Sequence, residues 1–345
     1  MLMVIFGAGA SFDSVPSRPP ATHPNLEHRL PLAAELFADR PLFTQSMRRF
    51  PDFTPLVPFL RNPPSNLSVE GLLQRFQAER ADYPVRHQQL AAIRFYLHFV
   101  IWACEMEWKE QVAKGITNYV TLLDQVERWR GRGGGYKRVC LVTFNYDTLL
   151  EDALPFVSHQ VTAIDDYISS DNYKVVKVHG SRNWARDVMT AIPDIEQKNT
   201  WQAAQELIAR AQELVLADTY RIVTEWPIGK HGQLPSFPAL AIPVEAKDDF
   251  VCPASHVTAL KEAIPQVTKI LVVGWRGVEA HAVELLKGLK QPSGISGVVV
   301  AGNYAAANDV AARLEAQGLN VTWRPSHAGF SEWTTNGESV RFLRG

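Results

Sequence analysis

The chain has 345 residues, 46% hydrophobic and 21% charged, and its 35 Lys+Arg against 36 Asp+Glu leave a formal net charge of -1. This describes a globular protein with a large core, and the balanced charge excludes the broad basic footprint of strong direct nucleic-acid binding. No run of about 18 apolar residues occurs, so no membrane span is expected. Met1–Phe6 lacks the charged start and the length of a secretory leader. Cys104, Cys140 and Cys252 stand far apart with no Cys-x-x-Cys pair, which excludes a zinc ribbon and predicts buried thiols in a reducing cytoplasm.

The first apolar run, Met3–Phe6, enters Gly7-Ala8-Gly9-Ala10-Ser11 directly. Glycine serves where backbone takes φ > 0 or approaches a ligand closely. A strand entering such a loop either offers N–H groups to a phosphate or makes an ordinary strand-to-helix turn. From Thr44 to Arg132 the chain reads helical, with Ile93, Tyr96, Leu97, Val100, Ile101, Cys104 and Trp108 on one face. This segment (44–132) is read as a helical insertion, and Gly131-Arg132-Gly133-Gly134-Gly135 after it as a flexible connector. Further short runs rich in Val and Ile follow at Arg138–Thr143, Val175–Val178, Leu240–Pro243, Lys269–Val273, Gly297–Ala301 and Val321–Trp323. They are continuous rather than alternating, the pattern of strands covered on both faces of a parallel sheet.

Helical stretches at Ala254–Ile264, Val278–Leu289 and Ala305–Gln317 separate the later runs. Arg186–Pro238 (186–238) reads as a second, smaller insertion with one amphipathic helix carrying Trp201, Ala204, Leu207, Ile208, Ala211, Leu214 and Val215. No internal repeat is present. The expected fold is α/β: a doubly wound, mostly parallel Rossmann-like sheet with a helical insertion, in a single domain over 1–345.

The second strand ends "VCLVTFNYDTLLEDAL", placing Thr143, Asn145 and Asp147 in alternation at a carboxyl end, where open α/β sheets bind ligands. Asn145 or Asp147 alone reads as a helix cap. Three polar side chains in five positions exceed what one cap requires. The next strand runs into His179-Gly180-Ser181 at the same sheet edge. A lone histidine is more often structural, but this placement favours a site. Gly274 follows another strand, and Gly302-Asn303 with Asn308 a turn later repeats the plan; such an Asn bonds a ribose or caps the helix. The remaining histidines, His281-x-x-Glu284 included, show no metal-ligand spacing.

In order, Gly7-Ala8-Gly9-Ala10-Ser11, Thr143-Phe144-Asn145-Tyr146-Asp147, Lys177-Val178-His179-Gly180-Ser181 and Val273-Gly274-Trp275 resemble the silent information regulator 2 (sirtuin-like) superfamily. The resemblance is to its NAD-consuming bacterial antiviral-defence branch, which "RLPLAAELF" (Arg29–Phe37) and "PALAIPVEAKDDFVCP" (Pro238–Pro253) also resemble. The four-cysteine zinc module of the protein deacylases is missing. The glycine loop continues as Phe12-Asp13-Ser14-Val15-Pro16-Ser17 instead of Gly-Ile-Pro-Asp-Phe-Arg.

The resemblance implies NAD as substrate, no metal, and hydrolysis of NAD+ to nicotinamide and ADP-ribose in an abortive antiviral defence. It implies cofactor contacts from Gly7, Ala8, Gly9, Ser11, Thr143, Gly274 and Asn303. Asn145 would orient water and ribose, His179 would act as general base, and Asp147 would lie near the nicotinamide end. NAD-dependent deacylation and non-catalytic sensing of NAD or ADP-ribose are the alternatives. The implied partners are further copies of the chain, as a homo-oligomer, or a separately encoded HerA-type ATPase or short Argonaute.

Overall fold

The computed structural model describes the chain apart from residues 18, 20, 21, 66, 133–135, 225–233, 244–249 and 292–293. Its main sheet contains β1 (Leu2–Phe6), β2 (Val139–Thr143), β3 (Tyr173–Lys177), β7 (Lys269–Val273), β8 (Ser296–Val300) and β9 (Thr322–Pro325). They are all parallel, in the order β3-β2-β1-β7-β8-β9. The chain winds outward from β1 to β3, then returns to the other side of β1 for β7 to β9. The winding reverses between β1 and β7, whose residues pair in register from Leu2↔Lys269 to Phe6↔Val273.

Continuous apolar runs fit this position because every strand but the edge strand β9 supplies two cores. In β1, Leu2, Val4 and Phe6 pack with the insertion helices, while Met3 and Ile5 pack with helices Ala254–Ala263, Ala280–Leu286 and Tyr304–Ala316. Fully burying one such side chain contributes about 1.5–3 kcal/mol. At the sheet edge, β9 ends in Pro325, where a missing N–H costs no second ladder bond.

Between residues 44 and 132 the longest helix is Val85–Trp108, with all seven residues of its expected apolar face buried. It is flanked by helices Val69–Ala78, begun by Ser68 accepting from the Gly71 N–H at 3.0 Å, and Asn118–Arg130, begun by Thr117. Of the connector after it, 133–135 lie outside the described residues. Cys104, Cys140 and Cys252 are buried and unbridged, and burial pushes each thiol up to about 12. No helix among the described residues is long and apolar enough to cross a membrane.

One expected strand sits elsewhere. The run placed at Leu240–Pro243 is β6 (Ser236–Leu240), and it pairs antiparallel with β4 (Gly180–Asp187) in a separate three-stranded sheet completed by β5 (Arg221–Ile222). β4 itself escapes an apolar-run reading because Arg182, Asn183, Arg186 and Asp187 break its pattern. The amphipathic helix between β4 and β5 spans Thr200–Ala209, so Ala211, Leu214 and Val215 fall beyond its end and Val215 is exposed. Asn199 caps it, accepting from the Trp201 and Gln202 N–H groups.

Candidate active site

A cavity of about 660 Å³ opens at the carboxyl ends of β1, β2 and β7, at the reversal of the winding. Its size is within the range of about 300–1,000 Å³ typical of small-molecule sites, and the reversal point is where open α/β sheets bind ligands.

The floor is made by two loops in backbone contact. A Cβ on Gly7 would lie 2.6 Å from the Gly274 carbonyl oxygen, and one on Gly274, at φ +63°, would lie 2.3 Å from the Ala10 nitrogen. The Gly7 N–H donates to the Val273 carbonyl at 2.9 Å and the Gly9 N–H to the Gly274 carbonyl at 3.1 Å. The Gly7 and Gly9 N–H groups are thus taken up by the end of β7 and the turn after it. Both glycines line the cavity, with Ala8 and Ser11 between and beyond them. The segment Phe12–Val15 is fastened by its polar groups. The Asp13 carboxylate accepts from the Ser331 N–H at 3.0 Å, and Ser14 Oγ accepts from Trp108 Nε1 at 3.0 Å.

Asn145 and Asp147 reach the cavity from the turn after β2. Asn145 is 6% exposed, and its Nδ2 donates to Ser11 Oγ at 2.9 Å and Tyr119 Oη at 3.1 Å. Ser11 and Tyr119 are themselves 2.9 Å apart. This holds the amide in one orientation and leaves its buried Oδ1 without a protein partner. A buried acceptor left unbonded is costly, and a ligand hydroxyl or water placed there would meet it.

Asp147 is equally buried, and Oδ1 accepts from the Leu149 N–H at 3.2 Å. Burial, then the charge of Glu105, push its carboxyl up to about 6, against the opposing pull of Lys177, the Ser11 hydroxyl and the Leu149 N–H. Lys177 Nζ donates to the Asp147 carbonyl oxygen at 2.6 Å and pairs with Glu151 at 2.8 Å. His179, 4% exposed, presents its ring edge-on to Phe144, with centroids 4.9 Å apart, and Phe144 stacks on Trp275 at 4.8 Å. All three catalytic candidates therefore line one cavity.

Two expected contacts are not brought there. Thr143 is buried behind the site, where its Oγ1 accepts from the Asn145 N–H at 3.1 Å. Asn303 caps helix Tyr304–Ala316, its Oδ1 accepting from the Ala306 N–H at 2.9 Å, and lies outside the lining; Asn308 is exposed on that helix. For Asn303 the cap satisfies a helix N–H that the ribose reading would have left open.

Other residues enter the site without having been singled out. Arg29 lines the cavity, its guanidinium 4.7 Å from the Phe12 ring, and its buried Nε has no partner. Trp275 donates from Nε1 to Glu279 at 2.7 Å, and Arg276 pairs with Glu70 of helix Val69–Ala78 across the rim. The conspicuous "RLPLAAELF" run held the signal for Arg29. Nothing local marked Tyr119, which arrives from the insertion. Among the described residues, no group of three or more His, Cys, Asp or Glu could hold a metal.

No family model matches the chain, and no curated protein matches it. Among solved structures, it is similar to a Sir2 homologue mutant in complex with 2'-O-acetyl ADP ribose, at 14% identity and a TM-score of 0.48, covering 99% of this chain and 91% of that one. It is also similar to a Sir2 variant with deacetylated p53 peptide and 3'-O-acetyl ADP ribose, at 13% identity and a TM-score of 0.42, covering 98% and 92%. A third likeness, to a structure addressing sirtuin substrate affinity, has 13% identity and a TM-score of 0.40, covering 97% and 92%.

Proposed function

We propose that the chain hydrolyses NAD+ at the nicotinamide–ribose bond, releasing nicotinamide and ADP-ribose, as a cofactor-depleting effector of antiviral defence. The observation that carries this reading is the meeting of the unpartnered Asn145 Oδ1, the buried Asp147 carboxyl and His179 in one cavity at the winding reversal. The motif resemblance supplies the substrate class. In the reaction the electron pair of the C1′–N bond leaves with the nicotinamide nitrogen, which becomes neutral. A water oxygen bonds to C1′, and its proton passes by way of a ribose hydroxyl to His179 and from there to the solvent. The oxocarbenium-like state needs positioning more than acid catalysis.

In this reading Asn145 Oδ1 accepts from the water or a ribose hydroxyl. Ionised Asp147 faces the developing positive charge, and His179 takes a proton through a ribose hydroxyl. Arg29 meets the diphosphate, a role suited to its planar array of donors. The trigger in this reading is assembly into a homo-oligomer or a separately encoded partner of HerA-type ATPase or short-Argonaute kind.

Nicotinamide release from NAD+ by the purified chain, alone and with neighbouring gene products, tests the proposal. Asn145→Ala and His179→Ala should each lower release by about 100-fold or more while circular dichroism stays unchanged. A folded His179→Ala protein with wild-type turnover removes the general-base role. Nicotinamide release only when an acyl-lysine peptide loses its acyl group would replace hydrolysis by deacylation, and ADP-ribose binding without turnover would favour a sensor. Light scattering on the same samples checks assembly: a 38.6 kDa monomer that hydrolyses NAD+ constitutively would overturn the triggered model.

A further inference from the structure

A second cavity, of about 120 Å³, shares no lining residue with the first. It lies among the end of helix Val69–Ala78, the first turns of Val85–Trp108 and β6, and it adjoins the large cavity where Ile242 gives way to Pro243. Its polar lining is Gln77, Arg80, His87 and Arg94.

Arg94 has no countercharge among the described residues. Its guanidinium lies 5.5 Å from the Phe237 ring centre, and its buried Nε finds no acceptor. No carboxylate pairs with Arg94 or Arg80 among the described residues. Nearby Glu79 is held by Arg75 and Arg86, at 2.8 and 2.9 Å, and Asp218 by Arg186 at 3.3 Å. Burial, with the charges of Arg80 and Arg186, lowers Arg94 to about 10, which leaves it charged at neutral pH. Arg94 is half-buried, so its unmet buried Nε and unopposed charge carry a partial cost that an anionic ligand would offset.

The geometry points to a phosphate-binding site in this cavity, with Arg94 as the inner anchor and Arg80 and His87 nearer the mouth. Guanidinium groups match phosphate oxygens through paired, charge-assisted hydrogen bonds. The volume suits a single phosphate group rather than a whole nucleotide. Gln77 and Arg80 are exposed, so the remainder of a phosphate monoester would extend into solvent. The helix carrying His87 and Arg94 also contributes Ile101 to the wall of the large cavity, so an occupant here rests on an element shared with that site.

Isothermal titration of the full chain with inorganic phosphate, glycerol 3-phosphate and acetate, in phosphate-free buffer, tests the assignment. Wild-type protein should bind phosphate or glycerol 3-phosphate saturably at one site and acetate more weakly. The stronger of the first two tells whether free phosphate or an ester is the natural form. Arg94→Gln should weaken binding by about tenfold or more and exposed Arg80→Gln by a smaller factor, with ADP-ribose binding to the large cavity unchanged in both. If Arg94→Gln does not fold, Arg80→Gln carries the comparison. The assignment is overturned by an absence of saturable binding, by affinity unchanged in the variants, or by acetate binding equally well. Failure of wild-type protein to bind ADP-ribose would count against the NAD reading and leave the phosphate titration intact.

Discussion

Asp147 is a carboxyl group whose surroundings favour its protonated form. Burial and the nearby Glu105 charge raise it to about 6, above the ordinary 3.8. The folded chain therefore holds this proton more tightly than the unfolded chain, and the contribution of Asp147 to stability grows as pH falls from about 6 toward 4. Activity should move the other way. If the ionised carboxylate faces positive charge developing at the ribose, turnover declines below about pH 6 as Asp147 takes up its proton. Asp147→Asn should lower turnover and remove that limb from the pH–rate profile. A variant that keeps a limb centred near 6 would assign the titration to another group. In the proposed reaction the neighbouring Asn145 would act through orientation rather than charge, because the hydroxyls of Ser11 and Tyr119 hold its NH₂ and aim its oxygen away from them.

Among the elements, the two glycine turns behave as one unit. Gly274 takes φ +63°, and any side chain there would meet the Gly9–Ala10 backbone at 2.3–2.6 Å, so Gly274→Ala must separate β1's loop from β7's. A loss of about 3 kcal/mol or more is expected, read as a lower urea midpoint, whereas Gly302→Ala, with nothing within 4 Å, should stay within about 1 kcal/mol. Equal effects at the two positions would refute the packing argument. These turns also show what the sequence reveals. Five of the six strands of the main sheet were legible because each is a largely buried run whose side chains serve two cores, while edge strand β9, half exposed, showed only in the short run Val321–Trp323. The loops after β1, β2, β3 and β7 were legible because polar residues or glycine interrupt those runs abruptly. β4 was not, since its Arg182 is stabilised by Glu105, 77 positions away, and no local pattern records that partner. The same limit hid Tyr119, which meets Asn145 only after the insertion folds back. Asn303 shows the opposite limit: its position after a strand fits a ligand contact and a cap equally well, and the structure shows the cap through its hydrogen bond from Ala306.

Across the whole molecule, Glu105 ties the helical insertion to the sheet and its site. It lies on helix Val85–Trp108 with no exposed surface, and it accepts from Arg182 Nε and Nη2 of β4, both at 2.8 Å. It also accepts from the Thr148 N–H and hydroxyl at 2.9 and 2.6 Å, and pairs with Lys109. Burial alone would raise its pKa, but the hydrogen bonds and charge of Arg182, together with Lys109, outweigh that and hold it at about 2. A carboxylate depressed in this way stabilises the fold above its unfolded value of about 4.5, and that stability is lost as pH falls from there toward 2. The amount is on the order of 3 kcal/mol. Glu105→Gln keeps the shape and removes the charge, leaving Arg182 buried beside a neutral amide; the expected loss is about 3–5 kcal/mol at pH 7. The same substitution should lower the pKa of Asp147, because the Glu105 charge is one of the two influences raising it. Chemical denaturation at pH 7 and the acid limb of the activity profile therefore read a single contact in two ways: stability falls, and the limb moves to lower pH. A variant that loses stability while the limb stays in place would separate the tie between insertion and sheet from the electrostatics of the site.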